Sequence, residues 1–247
     1  MKLVFYTTIK QIDLPENVFP IVPYYVFRKR REKLLVKYTR GIVDAGVYQL
    51  KKYGEYPYLH EYPLSLPDGW EWVIPDYPSD MRVFPPEKCI ELTKRHVEQW
   101  ITCKGALPVI QFRHMDFKNF KQEYSEFMEK YHHPRRYAIG NLCRLVKAGE
   151  EFSFLKRVLH YVVSHANKED SFHIFGCCLR GVRYLCELHP PNVITFDSTK
   201  WTRAPTSYAK KITCNLKTRE KRQVFLHEYV RLIQDSMFHG KTQLHFF

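Results

Sequence analysis

The feature that most constrains this chain is a series of short apolar runs, each closed by a polar or turn residue. Leu3–Thr8, Ile42–Gly46, Trp70–Asp76, Leu107–Phe112, Tyr137–Leu142, Phe172–Gly176 and Val193–Ser198 are rich in Val, Ile, Phe and Tyr. Ile21–Phe27 is one more, broken by Pro23. Runs of this kind, bounded by turn signals, read as buried strands. Helical stretches alternate with them: Pro86–Cys103, Phe117–Tyr131, Phe152–Ala166, Leu179–Leu188 and Arg219–Phe238. Phe117, Phe120, Tyr124 and Phe127 recur at helical steps, as a core-facing stripe does. Roughly 30–45 residues per strand-plus-helix unit is the spacing of a parallel sheet. The expected fold is therefore α/β, a compact (β/α)8 TIM-type barrel forming one domain over residues 1–247. The Pro- and Tyr-rich segment Tyr53–Pro67 reads as a loop over the barrel mouth.

In such a barrel the chemistry gathers at the C-terminal ends of the strands. The polar residues expected there are Asp44, Asp76, Gln111, Gly140 with Asn141, and Asp197. One strand-end Asp is as readily a helix N-cap as a catalyst. A series at successive strand ends points to one shared mouth. Two carboxylates can divide the work at a sugar carbon, one attacking the anomeric centre and the other moving protons on and off the leaving base. A further carboxylate or a Gln amide can pair with the donor edge of a guanine-like ring. A Gly leaves its backbone open to close approach by a flat ligand.

The 39 basic and 26 acidic residues leave a formal charge of +13, which favours a polyanionic partner. The excess is clustered. Arg28, Lys29, Arg30 and Arg31 form one block, and Lys200, Arg203, Lys210 and Lys211 belong to another directly after Asp197. Tyr24, Tyr25, Trp201 and Tyr208 are interleaved with them, as in stacking and phosphate-contacting surfaces. Solvated helix faces are the plainer alternative. The seven cysteines are irregularly spaced and include no Cys-x-x-Cys pair, so reduced thiols are expected and no metal site. Cys177, Cys178 and Cys186 with His173 or His189 lack zinc-finger spacing. No run approaches the roughly 18–20 apolar residues of a membrane span. The first residues read as a strand, not a secretion signal, so a cytoplasmic location is expected, that of the host if the chain is phage-encoded.

Ordered motifs over about residues 40–205 resemble the tRNA-guanine transglycosylase superfamily, and most closely its bacterial and phage branch of 7-deazaguanine DNA transglycosylases. Ile42-Val-Asp-Ala-Gly-Val-Tyr-Gln49 is similar to the family's Asp-Ser-Gly-Gly-Tyr-Gln segment, and Val73-Ile-Pro-Asp-Tyr-Pro78 to the segment whose acid reads the base. Pro108-Val-Ile-Gln111 and Tyr137-Ala-Ile-Gly-Asn-Leu142 resemble two further base-contacting strands. His173-Ile-Phe-Gly176 followed by Phe196-Asp-Ser198 is the most specific pair. The resemblance implies Asp197 as nucleophile, Asp44 as general acid and base, and Asp76, Gln111, Gly140 and Asn141 as base contacts. It implies exchange of guanine for a free 7-deazaguanine such as 7-cyano-7-deazaguanine, without a cofactor. The chain departs from the family at Ala45-Gly46-Val47, at Gly140-Asn141, and in having Cys214 as its one late cysteine, where tRNA enzymes carry a three-Cys-and-His zinc site. The missing zinc site and the lack of room for tRNA-binding appendages make DNA the expected partner. The alternatives are the same exchange on tRNA, a non-catalytic nucleic-acid-binding accessory barrel, and an unrelated barrel such as a glycosidase.

Overall fold

A computed structural model describes residues 2–8, 13–143, 145, 149–198 and 218–239. Lys200, Trp201, Arg203, Tyr208, Lys210, Lys211 and Cys214 lie outside the described residues. Nine short strands form one sheet: β1 (Lys2–Thr8), β2 (Val18–Pro23), β3 (Gly41–Asp44), β4 (Trp70–Val73), β5 (Ala106–Leu107), β6 (Val109–Ile110), β7 (Arg136–Ile139), β8 (Ser171–Ile174) and β9 (Val193–Asp197). Their order is β5-β4-β3-β2-β1-β9-β8-β7-β6. All the pairings are parallel.

The two ends of that order, β5 and β6, are halves of a single extended stretch. Pro108 separates them because it has no N–H to give to a ladder. Its carbonyl still accepts from Ala138 N–H at 2.8 Å, and the Leu107 carbonyl accepts from Ile74 N–H at 3.0 Å on the other side. The stretch thus pairs with both neighbours and closes the ring. Seven helices surround it among the described residues: α1 (Tyr24–Lys37), α2 (Val47–Tyr53), α3 (Pro86–Trp100), α4 (Phe117–Lys130), α5 (Glu150–His165), α6 (Leu179–Leu188) and α7 (Thr218–His239). This is the expected TIM-type barrel, with no helix between β1 and β2 among the described residues.

Local chemistry explains the elements. Pro86 opens α3, where a missing N–H costs nothing. The Asp116 carboxylate caps α4 by accepting from Asn119 N–H at 2.9 Å. Glycines with positive φ bracket the short α2, Gly46 at 90° and Gly54 at 76°.

Strand alternation sorts the side chains into two cores. Phe5, Val22, Trp72, Ile110, Tyr137, Phe172, Ile194 and Phe196 point outward and pack with the helices. Tyr6, Ile21, Ile42, Val73, Val109 and Ala138 fill the barrel interior. The inward phase, carried two residues on, reaches Asp44 from Ile42, Gln111 from Val109 and Gly140 from Ala138.

Two expectations change. The run Ile21–Phe27 is not one strand, because β2 ends at Pro23 and the chain turns helical at Tyr24. The basic block is therefore the exposed part of α1, whose buried face is only Tyr24, Phe27 and Leu34. The segment Tyr53–Pro67 is a loop at the mouth only in its first part, where the Tyr56 hydroxyl donates to the Asp76 carbonyl. Tyr62 packs at 5.5 Å from Trp72 and 5.8 Å from Trp100, both in the outer core, so the segment runs along the barrel wall toward β4. Aromatic side chains without a helical period still find apolar partners there. Among the described residues no helix is long and apolar enough to cross a membrane.

Phe172 is fully buried between sheet and helices and stacks on Tyr137 at 5.9 Å. Phe172→Ala is expected to cost about 3–5 kcal/mol of stability, read by denaturant unfolding.

Candidate active site

Asp197 ends β9 at the mouth, with its side chain 13 % exposed. Its Oδ1 accepts from Gly176 N–H at 2.7 Å and lies 3.3 Å from His173 Nε2. Gly176 sits just past β8 with φ of 66°, and a side chain there would strike Cys143. The glycine therefore lets the turn bring its N–H onto the carboxylate. No partner of Oδ2 occurs among the described residues.

Asp44 ends β3, and its Oδ2 accepts from Gly46 N–H at 3.1 Å, in the turn that starts α2. Burial raises its carboxyl pKa to about 6, and the charge of Asp197 pushes the same way, against the pull of the Gly46 and Ala45 N–H groups. Asp76, 4 % exposed, is raised further, to about 7. Burial is again the main cause and the Asp44 charge the next, while a hydrogen bond from Gln111 lowers it. Asp197 thus acts on Asp44, and Asp44 on Asp76, so the three acids share one electrostatic field. Carboxyls tuned this close to neutrality can hold or release a proton at physiological pH.

Gln111 is buried beside Asp76 and donates its Nε2–H to Asp76 Oδ2. Its Oε1 is buried without a partner among the described residues. Unpaired buried acceptors are costly, and at a mouth they mark a place where a ligand donor fits. Gly140 lies directly against this amide, and a Cβ there would collide with it. Tyr56, at the start of the wall segment, donates its hydroxyl to the Asp76 carbonyl and fixes the turn that carries the acid.

Asn141 is placed differently from the other expected contacts. Its Nδ2 donates to the Phe112 carbonyl and to Ser79 Oγ at 3.1 Å, and its Oδ1 faces Asp80 N–H at 3.5 Å. The amide braces three strand-end loops, with both its N–H groups spent on protein. Sequence reasoning did not assign His173, Thr195, Gly176 or Tyr56 to the site. His173 and Thr195 carry a signal in retrospect, since both fall on the inward phase of strands that end at the mouth.

The four cations expected on α1 divide into pairs. Arg28 bridges to Glu61 at 3.0 Å and lies 4.6 Å over the Tyr58 ring, and Arg31 donates to the Ser65 carbonyl at 2.8 Å. Lys29 and Arg30 are exposed, with no partner among the described residues.

Comparison with models of known protein families finds no match to this chain, and comparison with curated proteins finds none.

The raised pKa of Asp76 has a stability consequence. The unfolded carboxyl ionises first, near 3.8, and the folded one only near 7, so the folded state loses stability as pH rises across that window. Asp76→Asn, of similar shape and never charged, should raise the melting temperature at pH 8 and change it little at pH 4. Equal shifts at both pH values would contradict the assignment.

Proposed function

We propose that this barrel is a transglycosylase that exchanges guanine in DNA for a 7-deazaguanine such as 7-cyano-7-deazaguanine. The observation that carries the reading is the set Asp44, Asp76, Gln111, Gly140 and Asp197 at one mouth, with one Asp197 oxygen anchored and the other without a partner among the described residues. The motif resemblance supplies the substrate class, and the net charge of +13 suits a polyanion.

In the proposed cycle the target nucleotide is extruded from the duplex or met in a single strand. Asp197 Oδ2 attacks C1′, the C1′–N9 bond breaks, and Asp44 delivers a proton to N9 of the departing guanine. A glycosyl ester of Asp197 remains. The deazapurine enters the emptied pocket, Asp44 takes its N9 proton, and N9 attacks C1′. The ester bond breaks and returns the Asp197 carboxylate. Two inversions at C1′ retain the β configuration. The Asp76 carboxylate and the unpaired Gln111 Oε1 are acceptors for the ring N–H and exocyclic amine of guanine and its 7-deaza analogue. Gly140 leaves room for the Gln111 amide to stand where it can meet the ring. No redox cofactor or nucleotide energy source is needed, because one glycosidic bond replaces another.

Incubating the protein with labelled 7-cyano-7-deazaguanine and either DNA or tRNA tests the reading and separates the two substrates. Label is expected in DNA, and Asp197→Asn should abolish incorporation while leaving DNA affinity within about twofold, since the substituted group acts in the chemical step. Full activity in Asp197→Asn would exclude the mechanism.

The division on α1 gives a second expectation. Lys29→Ala with Arg30→Ala should weaken DNA binding and make the slope of log affinity against log salt shallower by up to about 2, as loss of two phosphate contacts does. Fluorescence anisotropy across a salt series reads both quantities, and an unchanged slope would remove these residues from the interface.

A further inference from the structure

One polar side chain of the barrel interior takes no part in the chemistry above. His173 is completely enclosed, on the inward phase of β8. Its ring lies edge-on to Tyr6 at 5.8 Å and to Phe175 at 4.7 Å. Both nitrogens are engaged. Nδ1 is 2.9 Å from Thr195 Oγ1, and Nε2 is 3.3 Å from Asp197 Oδ1. Burial holds its pKa below the ordinary histidine value, although Asp197 pulls the other way, so the ring is neutral and carries one proton.

The partners decide where that proton sits. An ionised carboxylate only accepts, so Nε2 must be the N–H facing Asp197. Nδ1 is then an acceptor, and the Thr195 hydroxyl is its donor. Thr195 stands two residues before Asp197 on the same inward phase of β9, so one strand carries both the nucleophile and the hydroxyl that holds the far side of the ring. Asp197 Oδ1 receives two N–H groups, from His173 and Gly176, which fixes the carboxylate plane.

We infer that His173, its ring held from behind by Thr195, is a positioning residue that anchors Asp197 Oδ1 so that Oδ2 is the oxygen that attacks. The inference rests on Asp197 being the nucleophile of the proposed exchange. His173 touches neither base nor sugar and acts through Oδ1. When the ester bond breaks in the second displacement, the same two N–H groups meet the charge returning to the carboxylate.

The test uses the full-length protein, a single-stranded oligodeoxynucleotide containing guanine, and radiolabelled guanine as the incoming base. His173→Ala is expected to lower kcat about 100-fold with KM for the oligonucleotide within about twofold, the pattern of a misaligned nucleophile. Thr195→Val should lower kcat by about tenfold, as loss of an orienting partner does. His173→Gln can offer an N–H to Oδ1 and a carbonyl to Thr195, and should recover kcat to within about tenfold of wild type. Thermal melts check that each variant is folded. Full kcat in His173→Ala or Thr195→Val, or no rescue by His173→Gln in folded protein, overturns the inference. Nitrogen NMR of labelled histidine reads the tautomer without any activity. The Nε2–H form is expected in wild type, and an Nδ1–H ring there overturns the inference. A wild type that transfers no base fails the proposed exchange, and the tautomer alone then decides the role of His173.

Discussion

Everything at the mouth depends on a parallel sheet closing on itself. A closed ring leaves each strand only two directions for its side chains, and the two-residue alternation assigns them without exception. Outward positions pack the helices, and inward positions fill the interior until the strand ends. At that point the next inward residue meets open space in place of another side chain. Asp44, Gln111, Gly140 and Asp197 occupy that position on four strands. Their convergence follows from geometry that any closed barrel imposes. The sequence contributes only which residue types are placed there. Closure itself passes through Pro108, whose missing N–H divides a strand that nevertheless pairs on both sides through its carbonyls.

The mouth is electrostatically unfavourable, and its neighbours temper the cost. Burial raises the proton affinity of Asp44 and Asp76, and the neighbouring acid adds to it in each case. Gly46 N–H, Gly176 N–H and the Gln111 amide each return part of the lost solvation. The outer core carries the stability that such a site consumes. Trp72, Tyr137, Phe112, Phe120, Phe154, Phe172 and Phe196 are all fully buried. A chain with fewer large side chains between sheet and helices would have less margin for gathering poorly solvated carboxyls at one mouth.

The barrel was legible in the sequence because its strands are short apolar runs with clear stops, and the sheet reproduces them except at Ile21–Phe27, which turns helical at Tyr24, and at Pro108, which divides one run in two. Asp44, Asp76, Gln111 and Gly140 were legible for the same reason, as polar residues where an apolar period ends. Other features were hidden by physics that no local pattern records. Six consecutive charged residues, Arg28–Lys33, masked the sparse buried face of α1. The tyrosines at 53, 56, 58 and 62 have no helical or strand period, and each is placed by a different partner or none: Tyr56 packs on Tyr77, Tyr58 on Tyr24 and Tyr62 on Trp72 and Trp100, while Tyr53 is exposed. Asn141 looked like a ligand contact because of its address, whereas its hydrogen bonds belong to Phe112, Ser79 and Asp80. His173 reads as part of an apolar run, and its role emerges only from which strand lies beside it.

The pairing of β1 with β9 sets when this site can exist. Lys2 lies opposite Val193 and Tyr6 opposite Asp197. The strand that carries the proposed nucleophile gains one of its two neighbours from the opposite end of the chain. During synthesis β1 emerges early and waits with one edge open until β9 follows. Contacts so distant in sequence are slow to form and expose apolar edges in the interval. The acids of the mouth therefore come together late in folding. Until the ring closes, Asp44 and Asp76 remain hydrated side chains with ordinary acidity.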